Sequence, residues 1–466
     1  MLRFLLSASL LASLGACERR SDDQPVVVGV IPDRDRREGG VRVVVRAALA
    51  QGLVRFDAAG QVEPALAERW SMVDDGRSYI FRLADATWSD GTAVTAAQVV
   101  MSLRRAVRAG AAHRLTPFLR SIDEIVAMTP QVIEIRLKRP NTELLTLLAQ
   151  PELAVSRGSR GSGPLRPVAG PGTRLRPPVD TDGDAAPSLP SDEVQVQGER
   201  AALAVARFAR RRSDLVLGGT IADWPLVAAA RIAPVEVRID PAGGLFGFAF
   251  ASRSGFLATP QGRAAIAMAL QSAAIPGAID ASWNDAVAIL PARLDSAAGP
   301  ALPPWHGLSR DRQRTLAREQ VTAWTAPLVV RVALPAGPGG TLLWGRIVAA
   351  LGSVGVGAER VASDAPADLR LVDRVAPYDS ARWYLATACR PCSNDTATLI
   401  EDARDAADLP ERARRLAVAD VALARDVAFV PLARPWRWSL VARRLDGFQT
   451  NPRAVHPLNH LRADPR

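Results

Sequence analysis

Lysine is almost missing from this chain of 466 residues: Lys138 is the sole example, so the formal net charge of +10 rests on arginine. Basic pairs and one triplet, among them Arg36-Arg37, Arg104-Arg105, Arg210 to Arg212, Arg414-Arg415 and Arg443-Arg444, are scattered. No basic stripe interleaved with aromatics marks a nucleic-acid surface, and solvated helix or loop faces are expected instead. Cysteine is scarce too, with only Cys17, Cys389 and Cys392. Two cysteines without nearby histidines make a poor zinc site. His113 and His306 stand alone, and Pro457 argues against a helix that would align His456 with His460 on a metal. No metal site and no cofactor are therefore expected. A His-Glu-x-x-His pattern, a Gly-x-Ser-x-Gly elbow and a Walker phosphate loop are all lacking, so no enzyme chemistry is indicated. Beyond the first 16 residues no apolar run is long and uncharged enough to span a bilayer.

What is present begins at the N-terminus. Arg3 supplies a positive start, Phe4 to Leu14 form an apolar stretch of export-signal length, and Leu14-Gly15-Ala16-Cys17 ends it. The pattern looks like a bacterial lipobox, which implies cleavage before Cys17, acylation of that residue, and tethering to a membrane by lipid alone. An ordinary secretory signal with a chance cysteine is the alternative. In an oxidising compartment Cys389 and Cys392 are candidates for a local disulfide, with free thiols or a redox role as alternatives.

Length and periodicity point to a mixed α/β protein of two or three domains. A buried strand is predicted at Val26 to Ile31, and a buried segment at Val41 to Ala50. Trp70 to Val73 and Tyr79 to Leu83 flank Asp74-Asp75-Gly76, a hairpin signal. Thr95 with Gln98 has the spacing of a capping box opening a helix that Gly110 ends. Ile133, Ile135 and Leu137 alternate with polar residues as in a half-buried strand. Between Arg157 and about Asp192, glycine, proline, arginine and serine dominate and no period survives, which predicts a long structureless crossing or surface excursion. Periodicity then resumes. Thr259 and Pro260 open an alanine-rich helix expected to run to Ile275 and stop at Pro276-Gly277. A long helix is expected from Thr396 to Ala424, broken near Pro410, and strands at Val427 to Leu432 and Trp438 to Val441 close the pattern.

Gly52-Leu53-Val54-Arg55-Phe56-Asp57, Glu63 to Trp70, Asp74-Asp75-Gly76 and Trp88 to Val100 together resemble the N-terminal signature of extracellular solute-binding proteins of family 5, the peptide- and nickel-type binding proteins of ATP-driven importers. Gly161 to Pro164, Thr259 to Leu270, Val427 to Leu432, Gly447-Phe448 and Asn451-Pro452 keep the family's order. The resemblance implies a two-lobed periplasmic-binding-protein fold with a hinge between lobes and an extra subdomain in lobe one. On that basis residues 1–16 are a lipoprotein signal, 17–25 a tether, 26–46 and 156–240 parts of lobe one, and 47–155 the extra subdomain. Residues 241–433 would form lobe two, and 434–466 the C-terminal part of lobe one. It implies a monomer outside the cytoplasmic membrane, lipid-anchored, that hands a peptide-like solute to membrane permease and ATPase subunits.

In peptide-binding relatives an aspartate in an Ala-Asp-Tyr-like stretch pairs with the ligand's amino group. Ala376-Pro377-Tyr378-Asp379 is the nearest match here, with proline at the acid's place. Asp373 and Asp379 flank it, and either supplies the carboxylate or is a solvated loop acid. Tyr378 and Trp383 are candidates to line the cleft, Trp383 having packed core as its alternative. The segment 165–195 lacks the aromatic-rich run of relatives. A nickel complex, heme or another small solute, or a non-transport envelope interaction protein with a degenerate pocket, are the other readings.

Overall fold

The computed structural model describes residues 22–32, 40–108, 115–158, 160–178 and 189–462. The expected leader, Cys17, Gly110 and His113 lie outside them. Among the described residues no helix is long and apolar enough to cross a membrane.

Two sheets organise the molecule. The first has seven strands in the order Arg166–Pro167, Thr173–Arg176, Val194–Gly198, Val26–Val30, Leu215–Thr220, Arg437–Val441 and Val237–Asp240. Val26–Val30 runs parallel to both neighbours and is buried throughout, which explains an unbroken Val-Val-Val-Gly-Val run without alternation. Helix Ala201–Ala209 makes the crossover that parallel pairing requires. The second sheet has five strands, Gly357–Ala362, Val329–Leu334, Leu369–Val375, Gly244–Phe250 and Phe429–Ala433. Its strand Gly244–Phe250 sends Leu245 and Ala249 to one core and Phe246, Phe248 and Phe250 to another, as the period of two dictates. Helices Pro260–Ser272, Arg310–Thr322 and Pro338–Gly352 pack into the phenylalanine core, and Ala381–Ala388, Asn394–Arg404 and Leu409–Asp426 into the other.

A third, antiparallel sheet has four strands in the order Ala67–Val73, Ser78–Leu83, Val132–Leu137 and Ile122–Thr129, and carries helix Ala96–Arg108 on one face. Its core is continuous with that around helix Ala381–Ala388. The chain passes between the first and second sheets at Asp240 to Gly244 and again at Ala433 to Arg437. The first crossing needs glycine: Gly244 has φ 147°, and a Cβ there would lie 2.1 Å from the Arg374 carbonyl oxygen.

Three expectations need correcting. Val41–Leu49 is instead an amphipathic helix in which only Ala48 is buried: Val41, Val44, Val45 and Leu49 lie half-buried on its core-facing stripe, with Arg42 and Arg46 exposed outside it. The Arg157 to Asp192 stretch is not structureless among its described residues: Arg166–Pro167 and Thr173–Arg176 add two strands to the edge of the first sheet, where short pairing needs no apolar alternation. The alanine-rich helix stops at Ser272. Ala274 takes a left-handed turn at φ 45°, and Ile275–Ile279 starts a new helix with Pro276 in its first turn, so the proline opens a helix there instead of ending one. The helical stretch expected from Thr396 to Ala424 is broken near Pro410 as expected, into Asn394–Arg404 and Leu409–Asp426, each with its own cap from Ser393 and Asp408.

Candidate ligand-binding cleft

The two crossings place side chains from both sheets in one junction. Arg437, on the first sheet, donates through Nη1 to Asp373 Oδ1 at 2.8 Å and through Nη2 to the Asp373 carbonyl oxygen at 3.3 Å, on the second. Arg453, from the C-terminal segment beyond the first sheet, donates through Nη1 to Asp379 Oδ1 at 3.0 Å. Asp379 stays exposed over 59% of its side chain, so this pair is open to solvent on one side. Asp240, at the end of the first crossing strand, accepts from the Asn451 backbone N–H at 2.9 Å and lies 3.1 Å from His456 Nε2, which fixes the C-terminal segment against the crossing.

The third sheet's subdomain closes another side. Gln150 Nε2 donates to the Pro377 carbonyl oxygen at 2.6 Å in a buried bond. Phe118 meets Tyr378 edge-on at 5.3 Å between centroids, and Arg382 stands over the Phe118 ring at 5.9 Å. Glu143 accepts from the Asp379 backbone N–H, and burial, then the nearby Asp379 and Asp295, push its carboxyl above the usual range. Tyr378 and Trp383 are both buried, Trp383 at right angles to Tyr384 with 5.0 Å between centroids. Burial drives the Tyr378 hydroxyl well above its ordinary value and that of Tyr384 up to about 12, so both are neutral hydrogen-bonding groups and not bases.

Of the four residues singled out from sequence, the structure thus brings Tyr378 and Asp379 to the contact between second sheet and subdomain, and Asp373 to the crossings. Trp383 packs behind them. Sequence reasoning missed Arg434, Arg437, Arg453, Gln150 and Glu143. Nothing local marks these residues, since each acquires its partner from a strand or loop distant in the chain.

A row of aromatics runs along the same junction. Trp438 and Trp224, joined to the first sheet, lie 6.3 Å apart; Trp224 meets Trp436 at 5.3 Å, Trp436 meets Trp283 at 5.5 Å, and Trp283 meets Phe246 of the second sheet at 4.7 Å. Beside it a groove of about 600 Å³ is lined by Pro225 on one side and by Pro338, Leu342, Gly345 and Arg346 of the helix Pro338–Gly352 on the other. That helix approaches the first sheet's loop so closely that a Cβ on Gly339 would sit 1.8 Å from the Ile221 carbonyl oxygen.

Cys389 and Cys392 are disulfide-bonded at the end of helix Ala381–Ala388. His456 and His460 turn to different acids, Asp240 and Glu63, and among the described residues no group of three His, Cys, Asp or Glu side chains could hold a metal.

Residues 61–280 match the model of the bacterial extracellular solute-binding proteins, family 5 Middle. Over that stretch the chain is similar to family 5. Over 123 residues the chain is 33% identical to the probable deoxycholate-binding periplasmic protein YgiS of Escherichia coli K12, a match covering 22% of this chain and 23% of that one. Over 76 residues it is 38% identical to the periplasmic oligopeptide-binding protein OppA of Haemophilus influenzae, covering 16% of this chain and 14% of OppA. These matches span less than a quarter of the length of either relative. Its fold extends further: the Escherichia coli murein tripeptide binding protein MppA superposes with TM-score 0.76 at 16% identity over 94% of this chain and 98% of MppA. Burkholderia pseudomallei OppA does so with TM-score 0.76 at 18% identity over 94% and 99%. The expected class, an α/β two-lobed periplasmic-binding-protein fold, is therefore the one this chain has.

Proposed function

We propose that this protein is the substrate-binding component of an ATP-driven importer, tethered by lipid at Cys17 outside the cytoplasmic membrane, and that it captures a peptide-like solute between its lobes for delivery to a membrane permease. The observation that carries the reading is the junction itself. Among the described residues the two sheets exchange the chain at two places, Asp240 to Gly244 and Ala433 to Arg437, so they can turn about those segments. Charged side chains of both lobes meet there in the pairs Arg437–Asp373 and Arg453–Asp379. A solute favours the closed form only as far as both lobes touch it, and these are the groups within its reach. Relatives named as periplasmic peptide-binding and oligopeptide-binding proteins support the solute class and the compartment. The domain boundaries given above, with residues 47–155 as the extra subdomain and 241–433 as lobe two, belong to the same proposal.

A second reading, an envelope interaction protein that kept the fold, is favoured by one observation: Asp373 and Asp379 already have arginine partners within the chain. Thermal unfolding separates the two. A ligand that binds only the folded state raises the midpoint, by an amount equivalent to about 2.7 kcal/mol at a hundred times its dissociation constant. The full chain with Cys17→Ser should respond to pools of di- to pentapeptides, and Asp379→Ala should weaken that response. A folded protein that ignores peptides, nickel and heme would decide for the second reading.

A further inference from the structure

We propose that Arg434 is an anion site, the guanidinium that receives a carboxylate group of the solute at the lobe junction; this assignment rests on the solute-capture reading and names a chemical feature of what is captured. Arg434 lies in the second crossing segment, between the two sheets. Its Nη1 donates to the Gly244 carbonyl oxygen at 3.1 Å, in the first crossing, and to the Ile289 carbonyl oxygen at 3.0 Å. Its guanidinium stands over the Tyr384 ring at 5.7 Å from the centroid. Three contacts from three segments fix the plane of the group before any ligand arrives, and little side-chain freedom is left to lose on binding.

The rest of the group is unspent. Among the described residues Nε and Nη2 of Arg434 make no hydrogen bond and no carboxylate pairs with it, whereas its neighbours Arg437 and Arg453 hold Asp373 and Asp379. Burial holds its pKa below the usual arginine value, with only the neutral Tyr384 working against that effect. Arginine stays charged nonetheless. A partly buried cation without a counter-charge is costly, and a structural arginine at such a place ordinarily brings its acid with it. The Nε and Nη2 edge is the fork that matches a carboxylate bidentately, which makes a carboxylate the favoured occupant over a neutral amide. Arg434 is half-buried, and its Nε and Nη2 are not among the fully buried unpartnered side-chain atoms of the described residues, so solvent reaches that edge. A free peptide C-terminus and a small organic acid share the required chemistry.

The test uses the full chain with Cys17→Ser and reads the unfolding midpoint at constant pH and ionic strength. Succinate at low millimolar concentration should raise the midpoint and neutral succinamide should not, a comparison that needs no variant at Arg434. Arg434→Gln should abolish the succinate response, and Arg434→Lys, which keeps the charge but loses the fork, should keep only part of it. Trialanine should bind about ten- to a hundredfold more tightly than its C-terminal amide, as expected for losing charge-assisted hydrogen bonds. Equal responses to succinate and succinamide, or an Arg434→Gln protein that responds as the parent does, would overturn the assignment. A succinate response without peptide binding keeps the anion site and removes the peptide solute. Peptide binding indifferent both to C-terminal amidation and to Arg434→Gln does the reverse. If Arg434→Gln does not fold, the parent comparison and Arg434→Lys decide.

Discussion

Replacing Asp420 by asparagine should make the protein more stable at alkaline pH and have far less effect in acid. Asp420 lies on helix Leu409–Asp426, 2% exposed, with Oδ2 accepting the Ala301 N–H at 2.7 Å and Oδ1 buried without a partner among the described residues. Burial pushes its carboxyl from an ordinary 3.8 up to about 6. The folded state therefore holds the proton more tightly than the unfolded chain does. Stability is lost as pH rises from the ordinary value through about 6, and above that the full difference of about 3 kcal/mol is present. At pH 4.5 the same linkage removes only about 1 kcal/mol, so the two conditions differ by about 2 kcal/mol. The asparagine amide does not titrate, and its side-chain oxygen can still accept from Ala301. Urea unfolding of parent and Asp420→Asn at pH 4.5 and pH 8 should show the variant gaining about 2 kcal/mol more at the higher pH. Other titrating groups cancel in this double difference. A double difference near zero would refute the reasoning, because it would mean that Asp420 meets water or a counter-charge.

Three further outcomes follow from packing. Gly339→Ala should hold the lobes apart, since its Cβ would fall 1.8 Å from the Ile221 carbonyl oxygen, and small-angle scattering should show a larger radius of gyration. Helix propensity alone favours the alanine by about 1 kcal/mol, so an unchanged scattering profile would count against the contact. Asp426→Asn should cost about 3 to 5 kcal/mol in urea unfolding, because it leaves Arg263, 1% exposed, without the charge that both it and Arg253 grip, while Ser393 N–H loses a charged acceptor. Replacing Cys389 and Cys392 by serine should cost no more than about 2 kcal/mol, the loop-closure value for a bridge with sequence separation 3.

Features whose cause is local were legible in the sequence. The Asp74-Asp75-Gly76 turn joins its two strands with all three residues at positive φ, as short polar residues and glycine allow. Thr259 caps its helix by accepting the Gly262 N–H, and Gln98 accepts the Thr95 N–H as the capping-box spacing predicts, while also taking the Trp88 indole N–H at 2.9 Å. The strands Arg166–Pro167 and Thr173–Arg176 escaped because strands of two and four residues leave no period to read. The site was the least legible part. Arg434, Arg437 and Arg453 differ from the many solvated arginines only in what the fold brings beside them, and a single sequence carries no record of that.

The position of strand Arg437–Val441 bears on when this molecule can fold. It sits between Leu215–Thr220 and Val237–Asp240, so the first sheet lacks an interior strand until nearly the whole chain is available. Arg444 then closes a bidentate grip on Asp214, 230 positions earlier. A chain threaded outward through a membrane with its N-terminus leading would meet no complete first sheet until its last segment had emerged. Such long-range closure slows folding, and under the export proposed above the delay would keep the chain loose enough to pass and commit it to its shape only on the far side.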